Sequence, residues 1–254
     1  MAKYKSMKNF LLFFVSFSLA VPFILAQDNT DVKKIDIVKE PWLVESARIP
    51  SGLDYQKKPR QLWANSSVGM TIQEILKGPI EAERWVNEPP KDITGKFVLI
   101  EVWATWCPPC RRSLALLEYY NKKYADKLVT ISICETDEEA LKKMEGQTKL
   151  TDIKAPLAVD TYRRFANSLG VYGIPHVVLI EPIYGAVIWE GMPTQIGYEL
   201  SDTIVGKIVA NLDNPAIKSK LPQKAPFEFK MCPPDPEKMN EKPKAPVRSA
   251  GEWE

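Results

Sequence analysis

The sequence predicts a mixed α/β domain, and three observations carry that expectation. An apolar run at 97–103 (FVLIEVW) precedes a segment of helical spacing at 111–124, which precedes a second apolar run at 128–134 (LVTISIC). Two further runs, 176–180 and 186–189, are separated only by a turn at 182–185. Strand, helix, strand in that order implies a right-handed crossover between parallel strands, whereas so short a turn closes only an antiparallel pair. Parallel strands followed by a hairpin, with helices between, make a mixed central sheet flanked by helices.

Each element follows from its residues. Residues 1–26 place Lys3, Lys5 and Lys8 before an apolar run at 10–25, then Ala26 before the polar Gln27. That is the basic, apolar, small-residue order of a secretory signal, with cleavage expected after Ala26. The alternative is an uncleaved anchor, although the run is short against the roughly 20 residues that span a bilayer. Either way the thiols work outside the cytoplasm, in the periplasm or another extracytoplasmic space, and the uncleaved form is held on the inner membrane.

Residues 27–76 are polar and punctuated, with Trp42 and Trp63 as anchors and a helix-like piece at 71–76. They read as an extension that packs on the main domain without a core of its own. Asn65-Ser66-Ser67 fits a glycosylation sequon, which has no bearing without a eukaryotic secretory context. The main domain is assigned to 77–213, its core beginning near Pro79. Run 97–103 is apolar except for Glu101, the pattern of a central strand covered on both faces. Leu114, Leu117, Tyr120 and Tyr124 share one helical face. A charged helix is expected at 138–150, a short strand at 156–159, helices at 161–169 and 196–211, and a turn at Gly173-Ile174-Pro175 leading into strand 176–180. From 214 to 254 Lys, Pro and Glu dominate, and a disordered tail is expected.

A formal net charge of +2 over 254 residues favours neither nucleic acid nor an acidic partner. The chemistry concentrates in WATWCPPCR, residues 103–111. Cys107 is placed to cap the following helix, where a thiolate gains from a backbone N–H and from the positive end of the helix dipole. Its pKa should fall below the free value of about 8.5. Pro108 suits the first helical position, but Pro109 has no N–H, so only the Cys110 amide remains as donor. A thiolate with few donors is a poorer leaving group, and its dithiol is the stronger reductant. Electron donation to other disulfides is therefore expected.

Cys110 must lose a proton when it attacks a mixed disulfide. Glu101 is the only ionisable residue of its strand, and a buried carboxyl has a raised pKa that suits a proton acceptor. The competing reading puts Glu101 at an edge, facing water or an arginine. Pro175 has two readings as well. A cis Ile174-Pro175 bond would leave the Ile174 backbone open to an extended substrate beside Cys107, and a trans turn proline would simply enter the strand.

With these residues in place, 96–111 and Gly173-Ile174-Pro175 together resemble the thioredoxin-like superfamily, in particular the exported TlpA-type thiol-disulfide oxidoreductases. The resemblance covers roughly 79–211. It implies a thioredoxin fold, a nucleophilic Cys107, a resolving Cys110, a packing Trp106 that also contacts substrate along with Ile174 and Pro175, a cis Pro175, and a buried acid at Glu101. It implies no cofactor, a monomer, disulfides of extracytoplasmic proteins as substrates, and a membrane thiol as electron donor. Members dedicated to cytochrome c maturation often carry Glu and then Pro after the second cysteine; Ser113 and Ala115 stand here instead.

Other readings weigh less. Zinc needs four ligands, and beyond the pair there are only Cys134, Cys232 and His176. A structural staple across so short a loop constrains little of the unfolded chain. Peroxide reduction needs a peroxidatic thiol in its own Pro and Thr or Ser pattern, which is not found. A binding module with a vestigial redox pair is the alternative of a different class. Cys134 ends a core strand and reads as a buried thiol, and Cys232 as a tail thiol, free or paired with another molecule.

Overall fold

The computed structural model describes residues 67–136, 138–145, 153–195 and 199–233. The expected signal, most of the extension with Trp42, Trp63 and Asn65, and the chain beyond 233 lie outside these residues.

The sheet is built around two fully buried strands, β3 (Phe97–Trp103) and β4 (Leu128–Cys134), paired in parallel from Phe97↔Leu128 to Trp103↔Cys134. The link between them is α2 (Pro108–Lys123), which buries Cys110, Ser113, Leu114, Leu117 and Tyr120. Lys122 and Lys123 in its last turn oppose the negative end of the dipole. β5 (Leu157–Val159) extends the parallel set, while β6 (His176–Ile180) and β7 (Val187–Gly191) form the expected antiparallel hairpin on the other side of β3. With β2 (Arg84–Trp85) antiparallel at the far edge, the order among the described strands is β2-β5-β4-β3-β6-β7. This mixed sheet with flanking helices is a thioredoxin fold.

Alternation along the strands divides the core in two. Phe97 and Leu99 pack with Leu117 and Tyr120 and with Val205, Ile208 and Val209 of α5 (Asp202–Ala210). Val98, Ile100 and Val102 face the opposite way, toward Phe165 and Ala166 of α4 (Arg164–Ser168) and Ile72 of α1 (Ile72–Leu76). α1 starts where expected because Thr71 and Glu74 close a capping box. α5 begins later than residue 196 because Ser201 accepts the Ile204 N–H and sets the first turn. α3 (Glu138–Glu145) opens the expected charged helix.

The expected disordered tail requires correction for 214–233. Asn214 caps α6 (Pro215–Lys218), whose Ile217 is buried, and β8 (Phe229–Met231) pairs in parallel with β1 (Ile80–Ala82). Cys232 N–H donates to the Ala82 carbonyl at 2.7 Å, so that cysteine is anchored by its backbone. The physical reason is that Phe227, Phe229 and Met231 recur with the period of a strand and cover the core, whatever the surrounding lysines and prolines suggest. At the start of the described residues, Gly69 N–H donates to the Val187 carbonyl and Val187 N–H to that of Met70, covering the edge of β7.

Candidate active site

Cys107 ends the loop at the carboxyl end of β3 and is the N-cap of α2. Two prolines fit the first turn because the N–H groups they lack there have no intrahelical partner. The Cys110 N–H points to the Cys107 sulfur at 3.2 Å and to the Cys107 carbonyl at 3.2 Å, one donor shared between two acceptors. The two sulfurs are joined, with the Cα atoms 5.3 Å apart. Cys107 retains 2% exposure and Cys110 none, so an approach from solvent meets Cys107 first.

The Ile174-Pro175 bond is cis, and the Ile174 carbonyl oxygen lies 3.7 Å from the Cys107 sulfur. Neither the amide nor the carbonyl of Ile174 enters a backbone–backbone hydrogen bond among the described residues. Trp106 is 54% exposed and Tyr172 is 63% exposed, one beside Cys107 and the other beside the Gly173-Ile174 turn. The tryptophan sealed against the cysteines is Trp103, buried at the end of β3, while Trp106 is half exposed beside them.

Glu101 is fully buried in the middle of β3, which rules out the edge reading, because β4 and β6 flank it at Ser132 and Val177. Burial pushes its carboxyl well above the usual range, and the Ser113 hydroxyl nearby acts in the opposite sense. Ser113 lies one turn after Cys110 on the buried face of α2, near enough to the acid to act on it.

His176 follows Pro175 but turns inward, 1% exposed, with Nε2 3.0 Å from Glu190 Oε1. Glu190 Oε2 in turn accepts the Ser67 N–H at 2.6 Å, tying the N-terminal segment to the hairpin. Cys134 is buried among Trp103, Leu141 and Leu157, and burial pushes its thiol up to about 11. Two supports went unread in the sequence. Arg163, with φ 56°, pairs with Glu135 at 2.7 Å and donates to the Val171 carbonyl at 3.3 Å, bracing the segment that leads to Pro175. Thr130 and Ser132 share the strand parity of Leu128, the only signal that they join Glu101 on the α2 side. Among the described residues no cluster of three or more His, Cys, Asp or Glu side chains is set to hold a metal, and no helix is long and apolar enough to cross a membrane.

The Redoxin family profile matches residues 90–182. Thioredoxin-like protein YneN of Bacillus subtilis is 37% identical over 104 residues, covering 39% of this chain and 60% of the relative. Thiol-disulfide oxidoreductase ResA of Bacillus thuringiensis subsp. konkukian is 33% identical over 100 residues, covering 39% and 57%. The chain thus spans about 60% of the length of the curated relatives it matches. Among solved structures, a thiol-disulfide isomerase from Corynebacterium glutamicum aligns at 18% identity with a TM-score of 0.43, over 52% of this chain and 92% of that one. The Redoxin match, the YneN and ResA similarity and the strand order together make residues 90–182 similar to the thioredoxin-like superfamily and to its proteins of the ResA type.

Proposed function

We propose that this protein is an exported thiol-disulfide oxidoreductase that reduces disulfides of extracytoplasmic proteins. One observation carries the reading: Cys107 caps α2 with its sulfur on the Cys110 amide and bonded to the Cys110 sulfur. The similarity to proteins named thiol-disulfide oxidoreductases favours the same activity, and the residue order of 1–26 favours export.

The cycle starts from the dithiol. The Cys107 thiolate attacks one sulfur of a substrate disulfide, forming a mixed disulfide and expelling the other sulfur as a thiolate that takes up a proton. Cys110 gives its proton to the Glu101 carboxylate and attacks the Cys107 sulfur, which closes the 107–110 disulfide and releases the second substrate thiolate. Glu101 then returns its proton to that departing thiolate through solvent. Two electrons pass to the substrate, and a membrane dithiol donor restores the reduced pair. Ile174, Pro175 and the exposed Trp106 provide the surface against which an extended substrate lies beside Cys107.

The direction follows from what holds the sulfur. The one N–H at Cys107 is shared with a carbonyl, and the Ile174 carbonyl oxygen stands 3.7 Å from the sulfur, placed to accept the thiol proton once the pair is reduced. Both features limit how far the cap stabilises the thiolate, which leaves the disulfide relatively favoured over the dithiol, so the pair tends to give up electrons. The direct test is insulin reduction in the presence of a chemical dithiol: turnover by the intact protein and its loss in Cys107→Ser are expected. No turnover by the intact protein would favour a binding module with a vestigial pair. A reduction potential near −120 mV, about that of a strong oxidase, would overturn the reducing direction. Cys110→Ser, which blocks resolution, should trap extracytoplasmic proteins covalently on Cys107.

A further inference from the structure

The turn that faces Cys107 is held from both sides. Upstream, Arg163 donates to the Val171 carbonyl at 3.3 Å. Downstream, His176 pairs with Val102 and shares the strand parity of Val178 and Ile180, which puts its ring on the α1 and α4 side of the sheet, away from α2. Glu190 is on the same side, opposite Val178. There Nε2 of His176 lies 3.0 Å from Glu190 Oε1, and both side chains are 1% exposed. A carboxylate only accepts, so Nε2 carries the hydrogen of this bond. The other Glu190 oxygen accepts the Ser67 N–H at 2.6 Å.

The second partner of Glu190 comes from a distant part of the chain. Residues 67–72 run antiparallel beside β7: the Ile72 N–H donates to the Gly185 carbonyl, the Gly69 N–H to that of Val187, and the Ser67 N–H reaches Glu190. Each step toward Ser67 is a step toward the end of β7 that lies beside His176, since Gly191 pairs with Val177. Ile174, two residues before His176, keeps its amide and carbonyl out of the backbone ladders and holds its carbonyl oxygen 3.7 Å from the Cys107 sulfur. An extended substrate pairs with such groups only as well as they are held in place beforehand. Burial makes the hold firm, because breaking either bond of Glu190 strands a polar group away from water.

We infer that Ser67, Glu190 and His176 form a buried link that sets the Ile174-Pro175 turn for substrate, so that the N-terminal segment bears on how tightly an extended, disulfide-containing chain is held. The inference rests on the oxidoreductase reading, since it concerns the substrate of that reaction. His176 and Glu190 are positioning residues that act through the backbone of Ile174 and Pro175. They govern the binding of a peptide backbone and leave exchange between the sulfurs themselves as it is. Glutamine at 190 keeps the link: its amide oxygen accepts the Ser67 N–H, and its NH2 donates to Nε2 once the imidazole takes the other tautomer. Leucine at 190 breaks both bonds, and proline at 67 removes the Ser67 N–H alone.

The test is steady-state reduction of insulin and of dithiobis(nitrobenzoate), an aromatic disulfide without a peptide backbone, by the full chain and by Glu190→Leu, Ser67→Pro and Glu190→Gln. In Glu190→Leu and Ser67→Pro the KM for insulin should rise about tenfold, roughly what one hydrogen bond to a charged group contributes, with kcat and the rate on the aromatic disulfide within about twofold of the parent. Glu190→Gln should keep the parent KM. A parent KM in Ser67→Pro, a Glu190→Gln as impaired as Glu190→Leu, or a loss that falls equally on both disulfides overturns the link. Hydrogen exchange gives a second readout that needs no change at 67, 176 or 190. In Cys110→Ser carrying a peptide on Cys107, exchange at the Ser67 amide should slow relative to the adduct with mercaptoethanol, because coupling between two sites is reciprocal. Equal exchange in the two adducts overturns the link as well. Failure of the oxidoreductase reading looks different, since the parent itself would then not turn over insulin.

Discussion

At the residue scale, Glu101 has two consequences that separate from one another. Its folded pKa lies above the unfolded one, so between the two the folded state holds a proton that the unfolded state has released. Stability is therefore lost as pH rises from the ordinary glutamate range through the raised value, and levels off above it. Glu101→Gln removes this slope: in thermal melts of one redox state, the variant should gain on the parent as pH increases, and parallel curves would contradict a buried carboxyl. Separately, resolution of a trapped mixed disulfide should slow by about 100-fold in Glu101→Gln, the lower end of what general base catalysis supplies. Cys134 gives a third residue-scale expectation. With no exposure and a thiol raised to about 11, it should resist iodoacetamide in the folded protein at pH 8 and react only after denaturant is added. Labelling of the folded protein at Cys134 would show that the interior around the disulfide opens.

Elements were legible in proportion to how much of their pattern they carried alone. FVLIEVW and LVTISIC are long apolar runs, and the α2 stripe repeats over four turns, so β3, α2 and β4 lie where the residues put them. β1, β2 and β8 have two or three residues each, too few for a period to declare itself, and their partners are distant in sequence. Phe227 shows the cost of reading by composition: a 3% exposed aromatic in a segment rich in Lys and Pro. Phe227→Ala should therefore destabilise by about 3 kcal/mol in urea denaturation, whereas Lys230→Ala, at the exposed position of β8, should stay within about 0.5 kcal/mol. Equal small effects would mean that β8 does not belong to the folded unit. Within the site, the cap at Cys107 and the single donor at Cys110 were readable from two prolines. The inward turn of His176 was not, because its partner Glu190 lies across a hairpin and strand parity alone gives a face without naming what waits there.

For the whole molecule, the parallel crossover brings the α2 cap to the carboxyl end of β3, and the antiparallel β6 brings the Ile174-Pro175 turn to the same end. Arg163 and Glu135 brace that turn from β4, and the Glu190 carboxylate anchors both the hairpin and Ser67. The fold thus presents one sulfur at its surface and keeps the second sulfur, the carboxyl and the hydroxyls behind it. The most direct measurement is the pH dependence of alkylation in the reduced protein, read cysteine by cysteine by mass spectrometry. Cys107 should be modified first, with an apparent pKa below the free value of about 8.5, while Cys110 stays protected. If neither sulfur outpaces an ordinary exposed thiol at neutral pH, the pair is not the reactive centre described above.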